Sequence, residues 1–161
     1  MLPKLQGRLW HTTHPDRFQG ILNCGAILPE PPIPATSRWK TARGQEGYPY
    51  VRTIGGVSLF DFDRFQPQSY SIDYPLSTWR TFIPFREDWG TAIWIEINRA
   101  QITHQLISAT DLLARWKADG AYGNALMPCI EAAVIGELPA SAFLGAFVVN
   151  EGDYSCRPLT I

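Results

Sequence analysis

The sequence reads as an α+β domain of short strands and short helices, and three observations carry that reading. Period-two alternation is clean in Thr91–Asn98, where Ile93, Ile95 and Ile97 face one way and Trp94, Glu96 and Asn98 the other. A strand-like Leu5–Thr13 runs straight into Pro15, whose fixed φ and missing N–H suit the first turn of a helix. Glycine and proline, 13 of each among 161 residues, exceed their usual share, which shortens elements and lengthens loops.

Taken in order, Leu9, His11 and Thr13 share one face of the first strand, with Arg8, Trp10 and Thr12 on the other. Thr13 or His14 caps the following helix, Asp16 complements its dipole, and Phe18, Ile21 and Leu22 form its apolar stripe. Gly25 stands where a left-handed C-terminal cap is expected. Four prolines between Pro29 and Pro34 remove the donors that a helix or central strand needs. From there to Pro49 the chain reads as a long polar loop with Arg38, Lys40 and Arg43, of the kind that is functional or mobile in compact domains. Val51–Phe62 reads as a strand broken at Gly55-Gly56, with Ser58, Phe60 and Phe62 sharing a face after the break. Asp63–Gly90 specifies no element. After Thr91–Asn98, Thr110 is expected to cap a helix through Trp116 with Leu112, Leu113 and Trp116 inward. Ile130–Leu138 reads as a strand, Pro139–Phe143 as one helical turn and Gly145–Asn150 as a last strand. There is no repeat or charge run, and the length suits one domain over residues 1–161.

Composition narrows the function. Lys plus Arg is 14 and Asp plus Glu is 15, a net charge of −1, without the basic excess of a duplex-coating protein. Cys24, Cys129 and Cys156 are odd in number and far apart, which argues against a disulfide framework or a cysteine-built zinc site. Met1–Arg8 has no signal-peptide core and no apolar run approaches the ~20 residues of a membrane helix, so a cytoplasmic protein without a membrane partner is expected. Phosphate-loop, dinucleotide-fingerprint, zinc-protease and nucleophile-elbow motifs are absent. His11 and His14 are spaced for a helical metal pair, but Pro15 puts the helix start between or after them, so no metal site is expected.

Three features carry chemistry. The first is Leu9-Trp10-His11-Thr12-Thr13, a histidine near the end of a strand that feeds a helix. The second is Gly55-Gly56-Val57-Ser58-Leu59-Phe60-Asp61, a small-residue turn leading to a hydroxyl and an aromatic. The third is Glu131, opening an otherwise apolar strand, where a carboxylate is costly without partners or a role. Alone, His11 reads equally as a hydrogen-bonded core histidine, Phe60 and Phe62 as packed strand aromatics, and Arg38, Lys40, Arg43 and Arg52 as solvated loop charges. Glu137 lies six residues beyond Glu131, roughly 20 Å at ~3.3 Å per residue. That is too far for a paired acid and nucleophile on one glycosidic bond. Glu96 is the competing single carboxylate.

In this order the three features resemble the ADP-ribosyltransferase superfamily. His11-Thr12-Thr13 followed by Ile21-Leu22-Asn23-Cys24-Gly25-Ala26-Ile27 is similar to that family's His-(Gly/Thr)-Thr strand and the helix end after it. Ile130-Glu131 through Glu137-Leu138-Pro139 looks like the last motif of DarT-type nucleic-acid ADP-ribosyltransferases. The resemblance implies an ADP-ribosyltransferase-like fold of two small packed mixed β-sheets with short helices. It implies NAD as co-substrate, with transfer of ADP-ribose to a nucleic acid or protein acceptor and release of nicotinamide. Glu131 would be catalytic, steadying the oxocarbenium-like transition state at the ribose. His11 would hold the adenosine ribose, Thr12 offer backbone groups, Thr13 a hydroxyl, Ser58 approach the other ribose and Phe60 stack on nicotinamide. Arg38, Arg43 and Arg52 are available for the pyrophosphate, with Arg52 assigned to cofactor binding. A partner or antitoxin protein is compatible with this reading. The RNA 2′-phosphotransferases share the His-x-Thr strand but need several arginines on phosphate, and the basic residues here are scattered along the sequence. A non-catalytic member that binds a nucleotide or protein is the alternative outside enzymes.

Overall fold

A computed structural model describes residues 1–42 and 44–161, and all their side chains except those of Asp153 and Tyr154. Arg43, one of the loop arginines expected near phosphate, lies outside the described residues.

The chain opens with α1 (Leu2–Leu5), so the first strand is shorter than its pattern predicted: β1 is Leu9–Thr13. Pro3 favours a first helical turn there, and Gly7, at φ 74°, separates the two elements. Helix α2 (Pro15–Cys24) is capped by His14, whose Nδ1 accepts from the Asp16 N–H at 3.2 Å. Gly25, at φ 74°, donates to the carbonyls of Ile21 and Leu22 and ends the helix as expected. Strand β2 (Ala26–Ile27) follows. Val51 belongs to α3 (Tyr50–Thr53) rather than to a strand, because Pro49 sets up a helical turn, and β3 begins only at Gly56 (Gly56–Asp61). A Cβ at Gly56 would stand 3.0 Å from Val51 Cγ1 and 3.2 Å from the Val134 carbonyl, so glycine lets α3 lie against the sheet.

The segment with no readable pattern forms α4 (Pro67–Asp73) and 3-10 turns at Trp79–Phe82 and Glu87–Trp89. Then come β4 (Thr91–Ile97), β5 (Leu106–Ile107) and α5 (Ala109–Ala118). Ser108, not Thr110, caps α5: its hydroxyl accepts from the Asp111 N–H at 3.2 Å. The chain ends with β6 (Glu131–Ile135), β7 (Leu138–Pro139), a 3-10 turn at Ala140–Ala142, β8 (Phe143–Asn150) and β9 (Asp153–Leu159). Gly136, at φ 80°, divides the predicted Ile130–Leu138 strand in two, and β9 was not foreseen.

The architecture is α+β with short helices, as the pattern predicted, and it has two sheets, as the resemblance implied. The sheets are unequal, seven strands in the order β5-β6-β3-β1-β4-β8-β9 and two in β2-β7. Their pairings are antiparallel rather than mixed. A parallel pair requires a crossover that returns the chain to the same end, and neighbouring strands here are entered from opposite ends.

Strand β4 explains how the large sheet is packed. Ile93, Ile95 and Ile97 join an aliphatic layer with Leu9, Leu59 and Leu138. Ala92 and Trp94 enter an aromatic layer on the other face, with Trp10, Phe60, Phe62 and Phe147. Both faces are covered, so Trp94 is buried rather than sharing an open face with Glu96. Phe65, Tyr70, Trp79 and Phe82 from the unreadable segment complete the aromatic layer, which gives that segment its structural role.

Candidate active site

The site lies where the large sheet splits. The Phe62 N–H donates to the Arg8 carbonyl at 3.0 Å, so the backbone groups of Arg8, Trp10 and Thr12, at period two, face β3. The β1–β3 ladder carries Leu9 opposite Asp61 and Trp10 opposite Phe60 and goes no further. Meanwhile β1 stays paired to β4 through Thr13, and β3 to β6 back to Gly56. The Thr12 N–H and C=O therefore open onto the gap between β1 and β3.

His11 occupies the place of the missing rung. Its Nδ1 lies 3.0 Å from the Ser58 carbonyl, which can only accept, so Nδ1 carries the proton. Burial holds the imidazole pKa below its usual value despite that hydrogen bond. The ring is thus neutral, and Nε2 is left as an acceptor.

Glu131 opens β6 directly opposite Phe60 and is 1% exposed. Its Oε1 accepts from the Ser58 hydroxyl at 2.6 Å and its Oε2 from the Met127 N–H at 2.9 Å. Burial raises its pKa above the usual carboxylate value, while the Ser58 and Met127 hydrogen bonds and the Lys40 charge oppose the rise. It makes no ion pair among the described residues. Glu96, the competing carboxylate, is paired with Arg8 at 2.8 Å and is not part of the cavity wall.

A cavity of about 540 Å³ fills the gap, and His11, Thr12, Thr13, Arg52, Ser58, Phe60 and Glu131 all line it. These seven residues, all singled out in the sequence, line one cleft. Phe60 reaches it as part of the aromatic core: it is 4% exposed, with Phe62, Phe82 and Trp94 at ring-centre distances of 5.7, 5.4 and 5.4 Å. It forms the floor rather than a projecting platform. The proline-rich loop makes one wall through Pro29, Pro31, Ile33, Arg38, Trp39 and Pro49. Arg17 ties that loop to α2 by donating to the Ser37 carbonyl at 2.6 Å, and Trp39 packs edge-on against Phe82 at 5.1 Å.

The basic residues, scattered in sequence, converge in space. Arg17, Arg38, Arg52 and Arg86 all line the cavity. Burial, and then the neighbouring Arg86 charge, lower the Arg17 pKa. Arg38 and Arg52 share the Glu30 carboxylate, with Arg52 Nε donating at 2.8 Å. Sequence reasoning missed Arg17, Arg86, Trp39, Phe82 and Met127. Arg17 sits off the apolar stripe of α2 and is visible as such, whereas the others depend on the placement of segments without a local pattern.

Three buried side-chain polar atoms have no hydrogen-bond partner among the described residues: Thr12 Oγ1, Arg38 Nε and Arg52 Nη1. All three belong to residues of this cavity wall. Orphaned polar atoms are rare in native folds, and their concentration here fits a site shaped for a polar, anionic ligand. The histidine acceptor, the buried carboxylate and the four guanidiniums suit a ligand that carries both hydroxyls and anionic groups.

No family model matches the chain, and no curated protein sequence matches it. Among solved structures, one that is similar is an arginine-to-lysine mutant of heat-labile enterotoxin, described for the flexibility of an active-site loop in its A subunit. The identity is 17%, the TM-score is 0.45, and the match covers 94% of this chain and 74% of the other.

Proposed function

We propose that this chain, as one domain of ADP-ribosyltransferase type, transfers ADP-ribose from NAD to an acceptor and releases nicotinamide. The observation that carries the reading is Glu131, a buried carboxylate held by Ser58 and Met127 in the same cavity as a neutral His11 and four arginines. The C–N bond between ribose and nicotinamide breaks, its electron pair leaves with neutral nicotinamide, and positive charge grows on the ribose. Glu131 faces that charge and hydrogen-bonds a ribose hydroxyl, an interaction strongest in the transition state. The acceptor nucleophile then bonds to the ribose carbon and passes its proton to the Glu131 carboxylate, whose raised pKa makes it the stronger base. His11 Nε2 accepts from the adenosine ribose, the Thr12 backbone and hydroxyl orient it, and Arg38 and Arg52 neutralise the diphosphate. Phe60 and Trp39 bound the nicotinamide.

The four converging arginines favour a second reading, an RNA 2′-phosphotransferase, since such a reaction adds a phosphate to be gripped. Nucleic acid or protein is the acceptor class under the first reading, and a partner or antitoxin protein would cover the cleft mouth. No described helix is long and apolar enough to cross a membrane.

The test is release of nicotinamide from NAD in the presence of single-stranded DNA, RNA, a protein mixture, or RNA carrying an internal 2′-phosphate. Release with label transfer to the first three supports the transferase. Loss of the 2′-phosphate supports the second reading. NAD binding with no release under any condition would show a non-catalytic member of the fold.

A further inference from the structure

Glu30 is the one acidic residue between the four prolines of the loop that walls the cavity, and its carboxylate is held by two guanidiniums at once. Arg52 presents its Nε–Nη2 edge to it, at 2.8 and 3.3 Å, which is the edge that grips an oxyanion bidentately. Arg38 gives Nη1 to the same carboxylate and Nη2 to the Pro31 carbonyl at 2.5 Å. What remains, Arg38 Nε and Arg52 Nη1, is buried without an acceptor. Two positive charges thus meet one negative charge, and the donors outnumber what a single carboxylate satisfies.

The burial of the three side chains is unequal. Arg38 and Arg52 are 14% and 18% exposed, and Arg52 lies over the Tyr48 ring at 3.8 Å, whereas Glu30 is 57% exposed and stands outside the cavity wall. The guanidiniums are fixed while the carboxylate is free to move into water. Pro29 and Pro31 stiffen the backbone on either side of Glu30, so its departure is a side-chain rotation and not a refolding of the loop.

We propose that Glu30 is an internal competitor for the anion seat on Arg38 and Arg52: it holds both guanidiniums in the ligand-free protein and is displaced by a diphosphate. A diphosphate diester brings two negative charges and four non-bridging oxygens, which balance both arginines and offer acceptors to the orphaned donors. Glu30 cannot remain at hydrogen-bond distance once that charge arrives. The identity of the physiological ligand as NAD rests on the function proposed above, but the exchange itself concerns only the anion.

The experiment measures binding of inorganic pyrophosphate, and separately of NAD, to wild type, Glu30→Gln and Arg52→Gln by titration calorimetry. If Glu30 competes, Glu30→Gln binds pyrophosphate about two- to fivefold more tightly than wild type, the scale of one exposed ion pair. Arg52→Gln binds it more weakly. Unchanged or weaker pyrophosphate binding by Glu30→Gln would overturn the proposal, since Glu30 would then be a support for the arginines. Wild-type binding by Arg52→Gln would overturn it too, by removing the seat. Tighter pyrophosphate binding by Glu30→Gln without NAD binding by either protein would uphold the exchange and reject NAD as ligand. NAD binding by wild type with no gain for either ligand in Glu30→Gln would do the reverse.

Discussion

Ser58 holds Glu131 across the β3–β6 pairing: its hydroxyl donates to Oε1 at 2.6 Å, while its carbonyl accepts from the His11 Nδ1–H at 3.0 Å. One residue therefore orients the carboxylate and fixes the histidine tautomer. Its backbone is available for this because the β1–β3 ladder stops at Trp10 and Phe60.

Ser58→Ala removes only the first of these links. Oε1 of a buried carboxylate loses its donor, which costs about 1–3 kcal/mol of stability. Because the Ser58 hydrogen bond lowers the Glu131 pKa, its loss raises that pKa further. Denaturant melts and a pH profile of nicotinamide release check both, the acid limb moving to higher pH in the mutant.

Glu131→Gln separates stability from activity. The folded-state pKa of Glu131 lies above its usual value, so the native state binds more protons than the unfolded state between those two values, and stability falls as pH rises through that window. At neutral pH the substitution removes the cost of a buried charge. Its thermal midpoint is expected to exceed that of wild type at pH 7–8, with the difference shrinking below the ordinary carboxylate range. A midpoint difference independent of pH would show that Glu131 titrates normally.

Thr12→Val tests the orphaned hydroxyl. Replacing an unpaired buried Oγ1 by a methyl leaves stability unchanged or raises it by up to about 1 kcal/mol. The same change weakens NAD binding, because the hydroxyl has its partner only in the complex. Melts and calorimetry on the one variant give both answers.

His11→Ala acts on binding first. The ring is half-buried, so the variant also loses packing and one hydrogen bond. His11→Asn, whose side-chain N–H can still reach the Ser58 carbonyl, serves as the structural control. NAD affinity falls in both if Nε2 is the contact to the adenosine ribose, and stays at the wild-type value in His11→Asn if His11 only braces the strand. Glu131 is buried and His11 half-buried, which is why near-isosteric replacements are the informative ones.

The elements that were legible in the sequence are those with a local cause. The run of β1 into α2 follows from Pro15 and Gly25, and β4 from its isoleucine alternation. Glu131 stood out because a carboxylate in an apolar strand has no local justification. What was not legible depends on distant packing. Val51 alternates like a strand residue but is taken into a helical turn after Pro49. Strand β9 is an edge strand that contains Pro158, and its pattern is weak without the β8 partner. The gap between β1 and β3 has no sequence signature, because it consists of pairings that do not form. Convergence of Arg17, Arg38, Arg52 and Arg86 joins α2, the proline-rich loop, α3 and a 3-10 segment, and no spacing along the chain announces it.

Stabilisation by Glu131 of the transition state of nicotinamide departure is read from single-turnover release of nicotinamide from NAD. Wild type and Glu131→Gln are compared at saturating NAD, with NAD affinity determined separately. Release from wild type, a ~10²–10⁴-fold slower rate in Glu131→Gln, and NAD affinity changed by less than about threefold are expected. Release from Glu131→Gln at the wild-type rate would contradict that stabilisation.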